Sequence, residues 1–116
     1  MGKKFYISEE QVNNLRTMGL DVNAVGSCTY SAVDYDGISY TEERTMILQD
    51  ILDVLIGSGL LPTLYYVGGA KKHWACIIGC IESNEQIAET SLDAAYLVLY
   101  DCLQRGLILE NYLIQK

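Results

Sequence analysis

Leu61-Pro62-Thr63-Leu64-Tyr65-Tyr66-Val67 and His73-Trp74-Ala75-Cys76-Ile77-Ile78-Gly79-Cys80-Ile81 are two apolar, β-prone runs joined by Gly68-Gly69-Ala70-Lys71-Lys72. Two glycines and two lysines suit a solvated reversal, so the pattern predicts a central antiparallel hairpin with strands over residues 61–67 and 73–81. Side chains alternate across a strand, which puts Trp74, Cys76, Ile78 and Cys80 on one face and His73, Ala75, Ile77 and Ile81 on the other. Each set is largely apolar, so both faces can be covered. Tyr65 and Tyr66 are adjacent and must point to opposite faces. At least one of them leaves the main core or meets another layer.

The flanking segments read as helices that pack this hairpin. Leu92, Ala95, Tyr96, Leu99, Cys102 and Leu103 recur at helical spacing, with Thr90 or Ser91 to cap the start and Gly106 to stop it, which predicts a helix over 91–105 laid across the sheet. Leu97, Val98 and Tyr100 widen its apolar surface, a sign that it is covered on two sides. Residues 82–89, mostly polar, read as a loop. Upstream, Leu48, Ile51, Leu52 and Leu55 define a helix over 46–56 with Gln49, Asp50 and Asp53 on its outer face, ended by Gly57-Ser58-Gly59. Ser8 and Gln11 form a reciprocal capping pattern for a helix over 9–18, whose stripe of Val12, Leu15 and Met18 is too narrow to be a core by itself. Residues 27–41 suggest a half-exposed hairpin turning at Asp34-Tyr35-Asp36-Gly37. The segment 107–114 fits either a last strand or a short helix. The expectation is an α+β fold: a small antiparallel sheet built on the central hairpin and packed by amphipathic helices 9–18, 46–56 and 91–105.

With 116 residues the chain has room for one hydrophobic core, so residues 1–116 read as a single domain. Half of the residues are apolar and a fifth are charged, the balance of a packed protein rather than a disordered one. The net charge of −7 and pI near 4.5 have the wrong sign for phosphate backbones or anionic lipid, which argues against nucleic-acid binding. The longest apolar run, Ala94 to Tyr100, falls far short of the roughly 20 residues that cross a bilayer. Glu9 and Glu10 stand where a secretion signal needs its apolar stretch, so the expected location is the cytoplasm.

The order Thr45-Met46-Ile47-Leu48-Gln49-Asp50-Ile51-Leu52-Asp53-Val54-Leu55, an aromatic-flanked strand pair, then Thr90-Ser91-Leu92-Asp93-Ala94-Ala95-Tyr96 through Leu99, Cys102 and Leu103 to a Gly-Leu-Ile ending, resembles small uncharacterised proteins of tailed phages, prophages and bacterial mobile elements. The likeness covers residues 45–109 and is one of amphipathic elements. It implies a cytoplasmic accessory protein that acts on a host factor, and it carries no site residue with it.

Groups with reactive potential read as structural. Cys28, Cys76, Cys80 and Cys102 are expected to be reduced core thiols, because Cys76 and Cys80 on one strand lie roughly 13 Å apart at about 3.3 Å per residue. A strand does not supply the knuckle that a zinc site prefers, so no metal is expected. His73 is the sole histidine, and its odd offset from Cys76 places the two on opposite faces, which excludes a dyad within the hairpin. Asp34, Asp36 and Gly37 make a turn and lack the later ligands of a calcium loop. The glycine pairs match no phosphate-binding fingerprint, and Asp50, Asp53, Asp93 and Asp101 read as solvated helix faces. The expectation is a protein without enzymatic activity or cofactor.

Nine tyrosines remain as the functional signal, since tyrosine joins a large contact area to a polar tip and few rotors. Tyr35, Tyr40, Tyr65, Tyr66 and Trp74 supply candidate aromatic contacts, and Arg44, Lys71, Lys72 and His73 candidate polar ones. The leading expectation is an interaction module that binds a protein partner and self-associates as a homo-oligomer, with apolar surplus from Tyr65, Val67, Leu97, Val98 and the C-terminal segment. The alternative is capture of a small nucleotide-like ligand, tyrosines stacking its base while Lys71, Lys72 or Arg44 meets phosphate.

Overall fold

A computed structural model describes residues 5–33, 40–70, 72–79 and 81–114, with the side chains of 30–33, 40–42 and 81–84 left aside. Its helices begin where side chains satisfy free backbone amides. Ser8 Oγ accepts from the Gln11 amide at 3.2 Å while Gln11 Oε1 accepts from the Ser8 amide at 2.9 Å, which starts α1, Glu9–Thr17. Asp21 accepts from the Ala24 amide at 3.3 Å and starts the one-turn α2, Val22–Val25, an element too short to show periodicity in sequence. Strands β1, Cys28–Val33, and β2, Tyr40–Thr45, then form a two-stranded antiparallel ribbon with Cys28 opposite Thr45 and Val33 opposite Tyr40. The expected turn at Asp34-Tyr35-Asp36-Gly37 lies outside the described residues.

Helix α3, Leu48–Gly57, has no capping side chain at Ile47, and Asp50 in its first turn does that work. Asp50 Oδ2 accepts from the Ile47 amide at 2.9 Å, the Ser27 amide at 3.0 Å and the Ser27 hydroxyl at 2.9 Å. The reading of Asp50 as a solvated outer-face residue is therefore corrected: it is buried, and three donors replace the water it gives up. Helical spacing put it on the outer face with Gln49 and Asp53, but Ser27, 23 positions earlier in the chain, covers it.

The main sheet is three-stranded and antiparallel in the order β3, Pro62–Val67, β4, His73–Ile78, and β5, Ile81–Ala88. The central hairpin is present, with Tyr65 opposite Ala75 and Val67 opposite His73. Two expectations need correction. The second strand ends at Ile78 rather than Ile81, and residues 82–88, read as a loop, are strand. Strand β4 is fully covered at Ala75, Cys76 and Ile78, so its backbone needs hydrogen-bond partners on both sides, and β5 supplies the second row. As an edge strand, β5 tolerates the polar composition that made it read as a loop. Its register shifts between Cys76 and Ile78, where Gln86 and Ile81 are the respective partners, so the strand carries an irregularity.

Helix α4, Ser91–Gln104, starts at Thr90, whose hydroxyl accepts from the Asp93 amide at 3.0 Å. It packs on β4 and β5 and also meets α1 and α3, so it is covered on two sides as Leu97 and Val98 suggested. Leu92, Ala95, Tyr96, Leu99, Cys102 and Leu103 are buried, and so are Ala94 and Val98 on the far side of that stripe. Polar contacts tie α1 to α4: Gln11 Nε2 donates to Asp93 Oδ1 at 3.0 Å and Asn14 Nδ2 to the Tyr96 hydroxyl at 3.2 Å. Burial, opposed in part by that bond, leaves the Tyr96 phenol above its usual pKa.

Both chain ends described are fastened to the body. The Ile7 amide donates to the Met46 carbonyl at 3.0 Å, and the Thr45 hydroxyl to the Ile7 carbonyl at 2.9 Å. Residues 107–114 settle the open choice as a short 3-10 turn, Glu110–Tyr112, followed by a bridge from Leu113 to Leu20. The Tyr112 hydroxyl rests directly on Gly57, where no Cβ fits, and Ser58 Oγ accepts from the Leu109 amide at 3.0 Å. The Gly57-Ser58-Gly59 stretch is thus a seat for the C-terminal segment.

Candidate functional site

Register separates the two faces of the three-stranded sheet. Leu64 opposite Cys76, Tyr66 opposite Trp74, and Trp74 opposite Ala88 belong to the face under α4; Leu64, Cys76, Trp74 and Ala88 pack with the core. The other face carries Thr63, Tyr65 and Val67 from β3, His73, Ala75 and Ile77 from β4, and Glu85 and Ile87 from β5. Tyr65 is 39 % exposed and Ile87 51 %, while Ala75 between them is fully covered.

The Tyr65 hydroxyl donates to Glu85 Oε2 at 2.5 Å, a bond that joins β3 to β5 across β4. Two strand spacings amount to about 10 Å, so the tyrosine ring must lie along the sheet rather than stand away from it. This explains why Ala75 is covered without a helix above it, and why a small residue occupies the centre. The bond to Glu85, aided by desolvation and by the carboxylate charge, raises the Tyr65 pKa. At one end of this face Lys72, His73, Ile87, Ala88 and Glu89 line an open groove of about 570 Å³.

The residues singled out in sequence do not converge. Tyr65 and His73 lie on the open face, with Lys72 in the groove at its end. Tyr66 and Trp74 belong to the opposite face, where their rings meet edge-on with centroids 5.4 Å apart. Arg44 sits on β2 in a separate groove, also about 570 Å³, with Arg16, Asn23, Thr29 and Glu43. Tyr35 and Lys71 lie outside the described residues, as does the side chain of Tyr40. Ile77 could be read from alternation in β4, but Glu85 and Ile87 could not, because their segment did not read as strand.

His73 faces the open side, whereas Cys76 and Cys102 are buried in the core. Burial pushes the Cys76 thiol up to about 11, which disfavours the nucleophilic thiolate. Cys28 and Cys76 are free thiols. Among the described residues no three histidine, cysteine or acidic side chains gather as a metal set, and no helix is long and apolar enough to cross a membrane. Comparison with protein-family models, curated proteins and solved structures found no match.

Proposed function

We propose that the chain is a non-enzymatic interaction module of the cytoplasm whose open sheet face docks a protein with an apolar centre and flanking basic residues. The observation that carries this reading is the cluster of exposed Tyr65 and Ile87 with half-buried Val67 and Ile77 around a covered Ala75 on the face that α4 does not roof. A flat aromatic and aliphatic patch on a rigid sheet suits a protein surface better than a small molecule. Glu85 and Glu89 bracket Ile87, and the chain as a whole carries −7, so charge complementarity calls for lysine or arginine on the partner. The free thiols accord with a reducing compartment.

A second copy is the competing occupant. Its case is narrower than the sequence suggested, because Val98 is buried and Leu97 packs against the core within the same chain. Two chains of −7 also repel each other at close range. The nucleotide-like alternative calls for tyrosines converging with Lys72 or Arg44, and the described lining of neither groove includes a tyrosine.

The test places a photo-crosslinking residue at Ile87, with Asn13 on the exposed side of α1 as control, identifies the protein captured in cells, and measures its affinity after purification. The expected result is capture from position 87 and a loss of affinity of tenfold or more in Ile87→Lys, since central apolar contacts dominate such interfaces. Unchanged affinity in Ile87→Lys and Tyr65→Ser overturns the reading. Sedimentation of a dimer that Ile87→Lys abolishes replaces the heterologous partner with a second copy.

A further inference from the structure

We infer that the groove between α1, α2 and the β1–β2 ribbon is a binding site for a small phosphate monoester whose organic part carries hydroxyl groups. The chain has three arginines, and two of them, Arg16 and Arg44, line this one groove with Asn23, Thr29 and Glu43. The third, Arg105, is paired with Asp101 at 3.1 Å. This concentration of guanidinium stands out in a chain of net charge −7.

The groove is built by its neighbours. Arg44 lies opposite Thr29 in the ribbon, so their side chains share a face. Its aliphatic stem passes over Gly26, where a Cβ would fall 3.1 Å from Arg44 Cγ and would overlap the Thr45 carbonyl. The glycine thus lets the stem lie down against the backbone. Arg16 Nη2 donates to Asn23 Oδ1 at 2.8 Å. That bond fixes the amide: with its oxygen committed to Arg16, the Asn23 nitrogen keeps its donors for another acceptor. Two guanidinium groups, an amide nitrogen and the Thr29 hydroxyl then present donors around one space of about 570 Å³.

Such a donor set matches a tetrahedral dianion, which can take paired N–H bonds from two arginines at once. No described lining residue is aromatic, which favours a phosphorylated polyol or sugar over a nucleotide, whose base seeks a stacking surface. The acidity of the rest of the chain excludes extended polyanions from this site.

Calorimetric titration of the full chain at fixed ionic strength tests the assignment with four probes: glycerol phosphate, inorganic phosphate, glycerol and adenosine monophosphate. Glycerol phosphate is expected to bind saturably in the millimolar range or tighter, and glycerol not at all. Arg16→Gln and Arg44→Gln should each weaken glycerol phosphate by about tenfold, the scale of a charge-assisted hydrogen bond, whereas Arg105→Gln should leave it unchanged. Inorganic phosphate, which lacks the organic part, should bind more weakly than glycerol phosphate. If Arg44→Gln disturbs the ribbon, the more peripheral Arg16→Gln and the charge-preserving Arg16→Lys decide the matter. No saturation, equal affinity in the arginine variants, or tighter binding of adenosine monophosphate than of glycerol phosphate overturns the proposal.

Discussion

The two faces of the three-stranded sheet use the same strands and similar side chains, yet one face builds the core and the other stays open. Under α4, Cys76 and Ile78 are completely covered and Leu64 packs beside them. Opposite them, Ile87 keeps half of its surface in solvent and Tyr65 covers Ala75 only by lying across it. The contrast separates apolar residues that hold the fold from apolar residues that the fold merely carries, and it is the second kind that binding can use.

The comparison breaks most easily at Ile78. Ile78→Ala removes a fully buried side chain and should cost about 2 to 4 kcal/mol in urea unfolding, because the cavity adds to the lost transfer energy. A cost below that of the equivalent change at Ile87 would mean that the faces have been assigned the wrong way round. Cys76 offers a second probe of the covered face. Its folded pKa of about 11 exceeds the ordinary thiol value of 9.0, so the unfolded thiol ionises first and stability falls as pH rises from about 9 to about 11. The loss attributable to Cys76 should reach up to about 2 kcal/mol and vanish in Cys76→Ala, as read from the difference between the two proteins' unfolding curves across that window.

At the margin of the covered face, Tyr66 is half exposed and meets Trp74 edge-on. Tyr66→Ala should cost about 1 kcal/mol, in the range of an aromatic pair, with a change in the near-ultraviolet circular dichroism of Trp74. The smallest effect belongs to the open face: Ile87→Lys should shift stability by no more than about 0.5 kcal/mol while weakening the proposed partner contact tenfold or more. A large loss of stability there would show that the open face is a structural surface after all.

Much of this arrangement was legible from local pattern. The two strands around Gly68-Gly69, the stripes of α1, α3 and α4, and the opposed directions of Tyr65 and Tyr66 follow from side-chain periodicity, which depends only on backbone geometry. Strand β5 was not legible, because Glu82, Ser83, Asn84, Glu85 and Gln86 have little β preference and become a strand by pairing with β4. Ile87 escaped notice for the same reason. Asp50 was read as an outer-face residue with Gln49 and Asp53, and its burial depends on Ser27 arriving from elsewhere.

The candidate sites divide along the same line. Alternation required at least one of Tyr65 and Tyr66 to leave the core or meet another layer, since adjacent strand residues point to opposite faces, but it did not say which. The bond that lays Tyr65 over Ala75 required Glu85 to stand two strands away. Arg16 and Arg44 are separated by 28 positions and meet only because α2 and Gly26 fold the ribbon back toward α1. By itself the sequence determined which elements form and how their side chains alternate, because these depend on contacts within a few residues. Which apolar face is roofed, which carboxylate is enclosed and which cations gather was decided by tertiary structure, since burial belongs to the neighbours that long-range packing brings.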